Sequence, residues 1–296
     1  MSLFAQVRLY GRMIRFSHSI FALPFALSGA ALAAATSGFS WSQAGWIVVA
    51  MVAARSAAMG FNRVADRDID AANPRTSNRE LPSGAMSVAS AALFVAVSSA
   101  LLAAAAYNLN PLCFALSPVA LAVVFFYSWT KRFTWLSHLV LGICLALAPV
   151  GAWIAVTGGI ALPPLVLGLA VLFWVAGFDI LYACQDRDFD RDSGLHSIPV
   201  RFGLGGALNI ARGLHGLAVL FMLALGALMP LGLLYIAGVA VIAGLLFHEH
   251  RLVRPGDLTK VNTAFMTMNS IVSVVFFLFT LADLLLFGEW PGLQTV

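Results

Sequence analysis

Residues 162–183 read LPPLVLGLAVLFWVAGFDILYA, and this stretch decides the class of fold to which the chain belongs. Asp179 is its only charged residue, and the stretch is long enough to cross a bilayer, because a spanning helix needs about 20 apolar residues. Of the 296 residues, 61% are hydrophobic and only 10% are charged. A soluble chain carries more charge, and a disordered chain carries far less apolar side chain. The sequence therefore predicts an all-α polytopic membrane protein.

Nine apolar runs are candidates for membrane-spanning helices. They lie at about residues 20–37, 44–60, 87–106, 112–129, 135–156, 162–183, 211–229, 231–247 and 264–287. All 17 Lys and Arg residues lie before the first run, after an even-numbered run, or near the inner end of a helix. Because Lys and Arg mark cytoplasmic loops, this pattern predicts a bundle of nine transmembrane helices. The N-terminus is then cytoplasmic and the C-terminus lies outside.

Several polar positions outside the main motifs have simple structural interpretations. Residues 1–18 carry three arginines at helical spacing and are predicted to lie at the cytoplasmic membrane surface. His138 is predicted to be structural, and Asn269 to form a hydrogen bond between helices. His248 and His250 are predicted to be a solvated cluster in the loop after the eighth span.

The two longest polar connections are at residues 61–86 and 184–210. Long loops in a compact chain are usually functional, so both are predicted to be active-site loops. They are placed within one domain that spans residues 1–296 and whose cavity opens to the cytoplasm.

Nine of the 13 acidic residues cluster in or beside these two connections. They are Asp66, Asp68, Asp70, Glu80, Asp179, Asp186, Asp188, Asp190 and Asp192. In the first cluster Asn62, Asp66 and Asp70 recur every four residues, which places them on one face of a helix. A second stripe consists of Asp179, Tyr182, Asp186 and Asp190.

The two clusters also match each other in sequence. Residues 66–70 read DRDID and residues 186–190 read DRDFD, which suggests an internal repeat whose halves contribute equivalent helices to one site. Carboxylate and amide oxygens without clustered His or Cys suit Mg²⁺, which completes its shell with water and substrate phosphate. Neighbouring Arg and Lys can hold a polyanion. Together these features predict a site for a lipid diphosphate.

These motifs resemble those of the UbiA family of intramembrane aromatic prenyltransferases. The family pattern N-x-x-x-D-x-x-x-D is matched by Asn62, Asp66 and Asp70. The second family pattern, D-x-x-x-D, is matched by Asp186 and Asp190. The resemblance covers nearly the whole chain, including the nine-helix plan.

Two further segments, residues 73–84 and 127–135, also resemble that family. Within the family the chain is most similar to the quinone branch, which prenylates 4-hydroxybenzoate. Residues 15–27 and 194–199 instead resemble a sister group that acts on 1,4-dihydroxy-6-naphthoate in an alternative menaquinone route. The acceptor therefore stays open between these two aromatic acids.

The resemblance implies Mg²⁺-dependent transfer of a polyprenyl group from polyprenyl diphosphate to an aromatic acid. The reaction would belong to ubiquinone or menaquinone biosynthesis and would take place in the inner membrane, at a site facing the cytoplasm. The expected partners are the polyprenyl diphosphate donor, the small aromatic acid and membrane lipid, and not nucleic acid.

The resemblance also implies roles for individual residues. One Mg²⁺ is assigned to Asn62, Asp66 and Asp70, and a second to Asp186 and Asp190. Diphosphate binding is assigned to Arg67, Lys131, Arg132 and Arg187. Catalytic roles are predicted for three residues. Arg132 could pair with the acceptor carboxylate instead of the diphosphate, and Asp179 is a candidate base or a residue that orients another group. Tyr182, together with Tyr127, could stabilise an allylic cation by its ring.

Other functions remain as alternatives. Haem or a chlorophyllide could be the acceptor, although the loops match the quinone branch better. A cation-coupled transporter is the alternative from another class, because carboxylates within membrane spans often mark ion pathways. A transporter commonly places them near the bilayer midplane, whereas these acids lie at predicted cytoplasmic helix ends.

Overall fold

The computed structural model describes residues 3–14, 21–38 and 40–288, and most of these form helices. The α-helices are α1 (Leu3–Met13), α2 (Leu23–Ser37), α3 (Trp41–Ala65), α4 (Arg67–Ala72), α5 (Val88–Leu109), α6 (Pro111–Thr130), α7 (Ser137–Thr157), α8 (Leu162–Ala183), α9 (Arg187–Asp192), α10 (Ile198–Leu228), α11 (Leu233–Leu252), α12 (Val261–Thr263) and α13 (Asn269–Phe287). The prediction of an all-α protein is confirmed. Residues 15–20, which include part of the predicted surface segment and of the entry to the first span, lie outside the described residues.

Eight helical segments of the described chain are long and apolar enough to cross a membrane. The predicted first span corresponds to α2, which is apolar but has only 15 residues. At a rise of 1.5 Å per residue α2 is about 22 Å long, less than the roughly 30 Å of a bilayer core. The count of nine spans and the orientation therefore stay predictions.

The chain divides into two compact units, and each contains one acidic motif. The first unit comprises Met1–Ser19 and Gly45–Trp129, and the second comprises Ile20–Ala44 and Thr130–Val296.

In the first unit, a small apolar cluster packs α1 against the segment that follows α4. Met13 of α1 is buried together with Leu81, Met86 and Ala91. The buried Arg63 guanidinium donates from Nε to the Met13 carbonyl oxygen at 3.1 Å, and so ties α3 to the end of α1. By contrast, α5 and α6 expose many large apolar side chains, as expected of helices surrounded by lipid.

In the second unit, glycines allow neighbouring helices to approach closely. A Cβ atom at Gly29 of α2 would overlap the carbonyl oxygen of Pro149 in α7. A Cβ atom at Gly142 of α7 would overlap the carbonyl oxygen of Leu172 in α8. Small residues at such contacts are typical of helix packing in membranes, where close van der Waals contact drives association. The fully buried Trp174 of α8 lies in the resulting core.

The first predicted active-site loop is shorter than expected. Residues 61–65 belong to the last turn of α3, and α4 follows directly, so irregular structure begins only at Asn73. The prediction that a loop covers 61–86 is wrong in its first part, because the helical hydrogen bonds continue through Asp66 and Asp70.

The second predicted loop, 184–210, is mostly helical as well. The Ser197 side chain caps α10 by accepting a hydrogen bond from the Val200 backbone N–H at 3.4 Å, so the helix begins at Ile198 and not near residue 211. Gly203, with φ of 68°, interrupts it within its second turn. The apolar pattern does not predict this start, because the first residues of α10 are polar enough to lie outside the apolar run that begins at residue 211.

A buried polar network joins α8, α10, α11 and α13 within the second unit. The Trp174 indole N–H donates to Asn269 Oδ1, and Asn269 Nδ2 donates to Glu249 Oε1, both at 2.8 Å. His215 Nε2 lies 3.1 Å from the Trp174 carbonyl oxygen, which can only accept, so His215 Nδ1 accepts from His250 Nε2 at 3.0 Å. The hydrogen bond predicted for Asn269 is therefore confirmed.

The prediction of a solvated loop at His248 and His250 is wrong, because α11 extends through both residues to Leu252. His248 is exposed, but His250 is half-buried and Glu249 is completely buried. The Asn269 amide stabilises this arrangement by donating to the Glu249 carboxylate.

We predict that Asn269→Leu lowers the free energy of unfolding by about 1–3 kcal/mol, because hydrogen bonds between membrane helices contribute about 0.6–1.7 kcal/mol each and two are lost. Thermal unfolding in detergent measures the change. Asn108→Leu is the matched control, since Asn108 is exposed and donates only to the Ala104 carbonyl of its own helix. Equal losses in the two variants would contradict a stabilising role for the network.

Candidate active site

The first aspartate of each acidic motif lies at a junction between helices, in nearly the same backbone conformation. Asp66 joins α3 to α4 with φ −98° and ψ 10°. Asp186 joins a short 3₁₀ turn, Cys184–Asp186, to α9 with φ −97° and ψ 2°. A helix of six residues follows each junction. The repeat seen in the sequence therefore extends to the local backbone, in a region of φ/ψ space where active-site residues are often found.

In the first motif, the Asn62 side chain orients Asp66. Asn62 Nδ2 donates to Asp66 Oδ2 at 2.8 Å and lies 3.4 Å from Ser128 Oγ. The amide and the carboxylate are thus side by side at the end of α3, as the spacing of four residues predicts.

The third residue of this motif, Asp70, forms a buried ion pair. Both of its carboxylate oxygens accept from Arg79 Nη1, at 2.7 and 2.8 Å, and Arg63 Nη1 lies 3.9 Å from Oδ2. The motif predicts Asp70 as a metal ligand, but it does not predict that Arg79 pairs with this carboxylate. Arg79 lies nine residues beyond Asp70 across an irregular turn, a spacing that no helical pattern would reveal.

The charges around the first motif differ in their exposure. Arg67 Nε donates to Asp68 Oδ1 at 3.0 Å, and the two side chains are 49% and 87% exposed. Asp68 is thus a solvated surface charge. Arg67 is an exposed cation that directly follows Asp66 in the sequence.

In the second motif, Asp190 is paired with Lys131, which follows α6. Lys131 Nζ lies 3.2 Å from Asp190 Oδ2, and the Asp190 side chain is only 3% exposed. Burial lowers the pKa of Lys131, but the carboxylates of Asp190, Asp179 and Asp186 together raise that pKa by more, so it lies above its ordinary value. Lys131 is therefore a firmly charged cation among three carboxylates. Its backbone carbonyl accepts from the His196 N–H at 2.8 Å, which fixes the second acidic segment to this position.

The two predicted catalytic residues of α8 contact different partners. Asp179 Oδ2 lies 2.7 Å from His138 Nδ1. The Tyr182 ring packs against Phe265, with ring centroids 4.3 Å apart. Phe265 belongs to a π-helical turn, Ala264–Met268, that precedes α13. Neither His138 nor Phe265 was predicted to take part in the site.

The remaining predicted cations lie beside these motifs in the second unit. Arg132 is half-buried and follows Lys131 directly. The Arg187 side chain is 34% exposed, with Nη1 4.0 Å from Asp188 Oδ1. Within the described part of the chain, Arg187 Nε is buried and has no hydrogen-bond partner. Arg187 is therefore a partly exposed cation beside the second motif.

The donor set suits a metal ion that shares its ligands with a substrate. Among the described residues, no group of three or more His, Cys, Asp or Glu side chains could hold a metal by itself. Mg²⁺ is usually bound by one or two carboxylates together with waters and substrate phosphates. Asp66 with the Asn62 amide in one motif, and Asp186 in the other, fit this mode of binding.

Residues 22–271 match the UbiA prenyltransferase family. The chain belongs to this family. It is similar to the 4-hydroxybenzoate octaprenyltransferase of Vibrio cholerae, with 36% identity over 219 residues that cover 73% of this chain and 75% of that protein. It is similar at 32% identity over 229 residues to the enzyme of the same name from Nitrosospira multiformis, covering 77% of this chain and 79% of that one. The protein is thus a prenyltransferase, and the family resemblance inferred from the motifs is confirmed.

Solved structures of UbiA proteins share the fold. A UbiA homolog from Aeropyrum pernix is similar with a TM-score of 0.83 and 36% identity, covering 90% of this chain and 98% of that one. A UbiA homolog from Archaeoglobus fulgidus, bound to DMAPP and Mg²⁺, has a TM-score of 0.73 at 22% identity and covers 94% of this chain and 99% of that one. The second likeness concerns the fold alone.

We predict that Arg79→Met lowers the free energy of unfolding by about 2–5 kcal/mol, because it leaves the buried Asp70 carboxylate without its closest cation. Adding Asp70→Asn should restore part of this loss, since the uncompensated charge is then removed. Chemical unfolding in detergent measures both changes.

Arg191→Met is the control for this experiment. Arg191 is 54% exposed and pairs only with the exposed Asp188 and Asp192, so its loss should change stability by less than about 1 kcal/mol. A loss for Arg79→Met as small as that of the control would contradict the importance of the buried pair.

Proposed function

We propose that this protein transfers a polyprenyl group from polyprenyl diphosphate to the aromatic ring of 4-hydroxybenzoate, as a step in quinone biosynthesis. The observation that carries the proposal is the repeated acidic motif, with Asp66 and Asp186 in the same backbone conformation. The names of the relatives from Vibrio cholerae and Nitrosospira multiformis support the choice of acceptor.

In this proposal each motif holds one Mg²⁺ ion whose shell the donor diphosphate completes. The ligands are Asn62, Asp66 and Asp70 for one ion and Asp186 and Asp190 for the other. When bound, the ions stabilise the negative charge that develops on the leaving diphosphate. The Archaeoglobus fulgidus homolog, whose structure contains DMAPP and Mg²⁺, supports the use of Mg²⁺ with a prenyl diphosphate, while the choice of ligands rests on the two motifs of this chain.

The ion pairs of Asp70 and Asp190 define how these two residues contribute. Arg79 and Lys131 neutralise and orient the carboxylates, so that the local charge is balanced before a cation arrives. With the donor bound, Lys131 can contact a phosphate oxygen while it remains beside Asp190.

The remaining cations bind the diphosphate or the acceptor. Arg187, Arg67 and Lys131 have partly exposed side chains and supply positive charge to the diphosphate. Arg132 binds a diphosphate oxygen or the carboxylate of the acceptor.

Cleavage of the donor C–O bond produces an allylic cation, which must react with the acceptor before water reaches it. A site recessed among apolar helices excludes water. The face of the Tyr182 ring stabilises the cation, and Phe265, which packs against that ring at a tilt of 33°, fixes its orientation. Asp179 accepts the proton that the aromatic ring loses.

The proposal includes the location of the protein. In the proposed nine-helix topology both acidic motifs lie at the cytoplasmic face of the inner membrane, and the concentration of Lys and Arg residues on that side supports this orientation. A second acceptor, 1,4-dihydroxy-6-naphthoate, is favoured by residues 15–27 and 194–199, so the test includes both acids.

The test is prenyl transfer by membranes from a host that lacks its own enzyme of this type. A labelled polyprenyl diphosphate is supplied with 4-hydroxybenzoate or with 1,4-dihydroxy-6-naphthoate, each with Mg²⁺ or with EDTA. We expect Mg²⁺-dependent prenylation of 4-hydroxybenzoate. Product from the naphthoate alone would move the protein to the alternative menaquinone route. No product from either acid, with folded protein, would contradict the proposal and favour another acceptor or transport.

We predict that Asp66→Ala and Asp186→Ala each lower kcat/KM by about 100-fold or more, because a metal ion contributes several kcal/mol and about 1.4 kcal/mol corresponds to a factor of ten. The same prenyl-transfer assay measures the loss.

Asp68→Ala and Asp188→Ala are the matched controls. They lie in the same two motifs, but their side chains are 87% and 74% exposed, so the activity should stay close to that of the wild type. Equal losses in all four variants would indicate that the motifs act only through their total charge.

A further inference from the structure

The pair formed by His138 and Asp179 connects three helices of the second unit. His138 lies in α7 and is completely buried, while Asp179 lies in α8 with its side chain 17% exposed. His138 Nδ1 is 2.7 Å from Asp179 Oδ2. On the other side of the ring, the backbone N–H of Ile198, the first residue of α10, donates to His138 Nε2 at 3.4 Å.

These two contacts determine the proton position on His138. The Ile198 N–H can only donate, so Nε2 must be the unprotonated, accepting nitrogen of the ring. The neutral imidazole therefore carries its proton on Nδ1 and donates it to Asp179. Both ring nitrogens are occupied and the ring is buried, so His138 itself has no atom left to contact a substrate.

The hydrogen bond fixes one oxygen of Asp179. Oδ2 is held by His138, the Asp179 side chain is 17% exposed, and among the described residues no hydrogen bond to Oδ1 is found. Asp179 also lies close enough to Lys131 to help raise the pKa of that ammonium group. The oriented carboxylate therefore belongs to the same charged group as the second acidic motif.

We propose that His138 is a positioning residue, which holds Asp179 so that its Oδ1 takes the proton released by the aromatic acceptor. The inference rests on the proposed function. In the reaction, the C–O bond between the prenyl group and the diphosphate breaks, and its electron pair leaves with the diphosphate. A bond forms from the prenyl carbon to a ring carbon of the acceptor. The C–H bond of that ring carbon then breaks, its proton goes to Asp179 Oδ1, and its electrons restore aromaticity. His138 keeps its own proton throughout.

The geometry also explains why a buried histidine suits this position. The Ile198 N–H belongs to the first turn of α10, where backbone donors have no partner within the helix. The imidazole satisfies this donor and, through its opposite nitrogen, orients the carboxylate. A single side chain thereby links the start of α10 to the proposed base.

Two conservative substitutions separate these two contacts. In His138→Asn, the side-chain amide nitrogen can replace Nδ1 and donate to Asp179, but the acceptor for Ile198 is lost. In His138→Gln, the amide oxygen can replace Nε2 and accept from Ile198, but the donor to Asp179 is lost. His138→Leu removes both contacts. The variants are compared in the prenyl-transfer assay, with the acceptor that the wild type uses, and their thermal unfolding is measured in detergent.

We expect kcat to fall by about 10–100-fold in His138→Gln and His138→Leu, the size of effect found when a supporting hydrogen bond to a functional group is lost. His138→Asn should retain most of kcat. The KM for the polyprenyl diphosphate should change by less than about threefold in all of them, because His138 does not touch the donor. In an Asp179→Asn background, His138→Gln should cause no further loss of kcat, because its effect passes through Asp179.

Equal losses of kcat in the Asn and Gln variants, or losses that follow only the fall in Tm, would overturn the inference and leave His138 a structural residue. Additive losses in the double variant would overturn it as well. If the wild type produces nothing from either aromatic acid, the proposed function fails first, and the inference fails with it. If the wild type is active and only the variant pattern differs, the inference alone fails.

Discussion

A carboxylate placed among apolar helices must have a cation or a hydrogen-bond donor beside it, and the arrangement of this protein depends on that constraint. Removing a charge from water costs several kcal/mol unless partners compensate it. The partners are Arg79 for Asp70, Lys131 for Asp190, His138 for Asp179, Asn269 for Glu249, and the backbone N–H groups of Gly232 and Tyr235 for Asp283. Each contact also orients the carboxylate. The same partner therefore compensates the negative charge and fixes the direction in which the carboxylate points.

The same constraint separates functional from ordinary acidic residues. Asp68, Asp188 and Asp192 are each more than 70% exposed and form only surface pairs, which contribute little to stability. Asp186 and Asp190 are buried within the same short segment of chain. Glu249 and Asp283 are buried as well, but neighbouring donors of the helix bundle hold them, whereas Asp66 and Asp186 lie at matching helix junctions of a repeated motif. This reasoning, together with membership of the UbiA family, supports the assignment of the motifs to metal and diphosphate.

The sequence predicts the features that depend on local periodicity. Apolar runs identify the helices, and the spacing of four residues places Asn62 beside Asp66, as the structure has it. The match between residues 66–70 and 186–190 extends to the backbone because identical short patterns follow similar helix ends.

The features that the sequence could not predict depend on contacts between distant segments. His138 and Asp179 meet across two helices, and each is an isolated polar residue in an apolar run. Glu249 and His250 look like a polar loop until Asn269 and His215 are found beside them. Helix ends were also misplaced, because a helix that passes beyond the bilayer loses the apolar pattern while it keeps its backbone hydrogen bonds.

The central claim is that each acidic motif binds its own divalent ion together with the donor diphosphate. Electron paramagnetic resonance of Mn²⁺, titrated into detergent-solubilised protein with a non-hydrolysable polyprenyl diphosphate analogue, counts these ions directly. We expect two bound Mn²⁺ ions per chain in the wild type and one in the Asp186→Asn/Asp190→Asn variant. A single ion in the wild type, or two ions in the variant, would contradict the central claim.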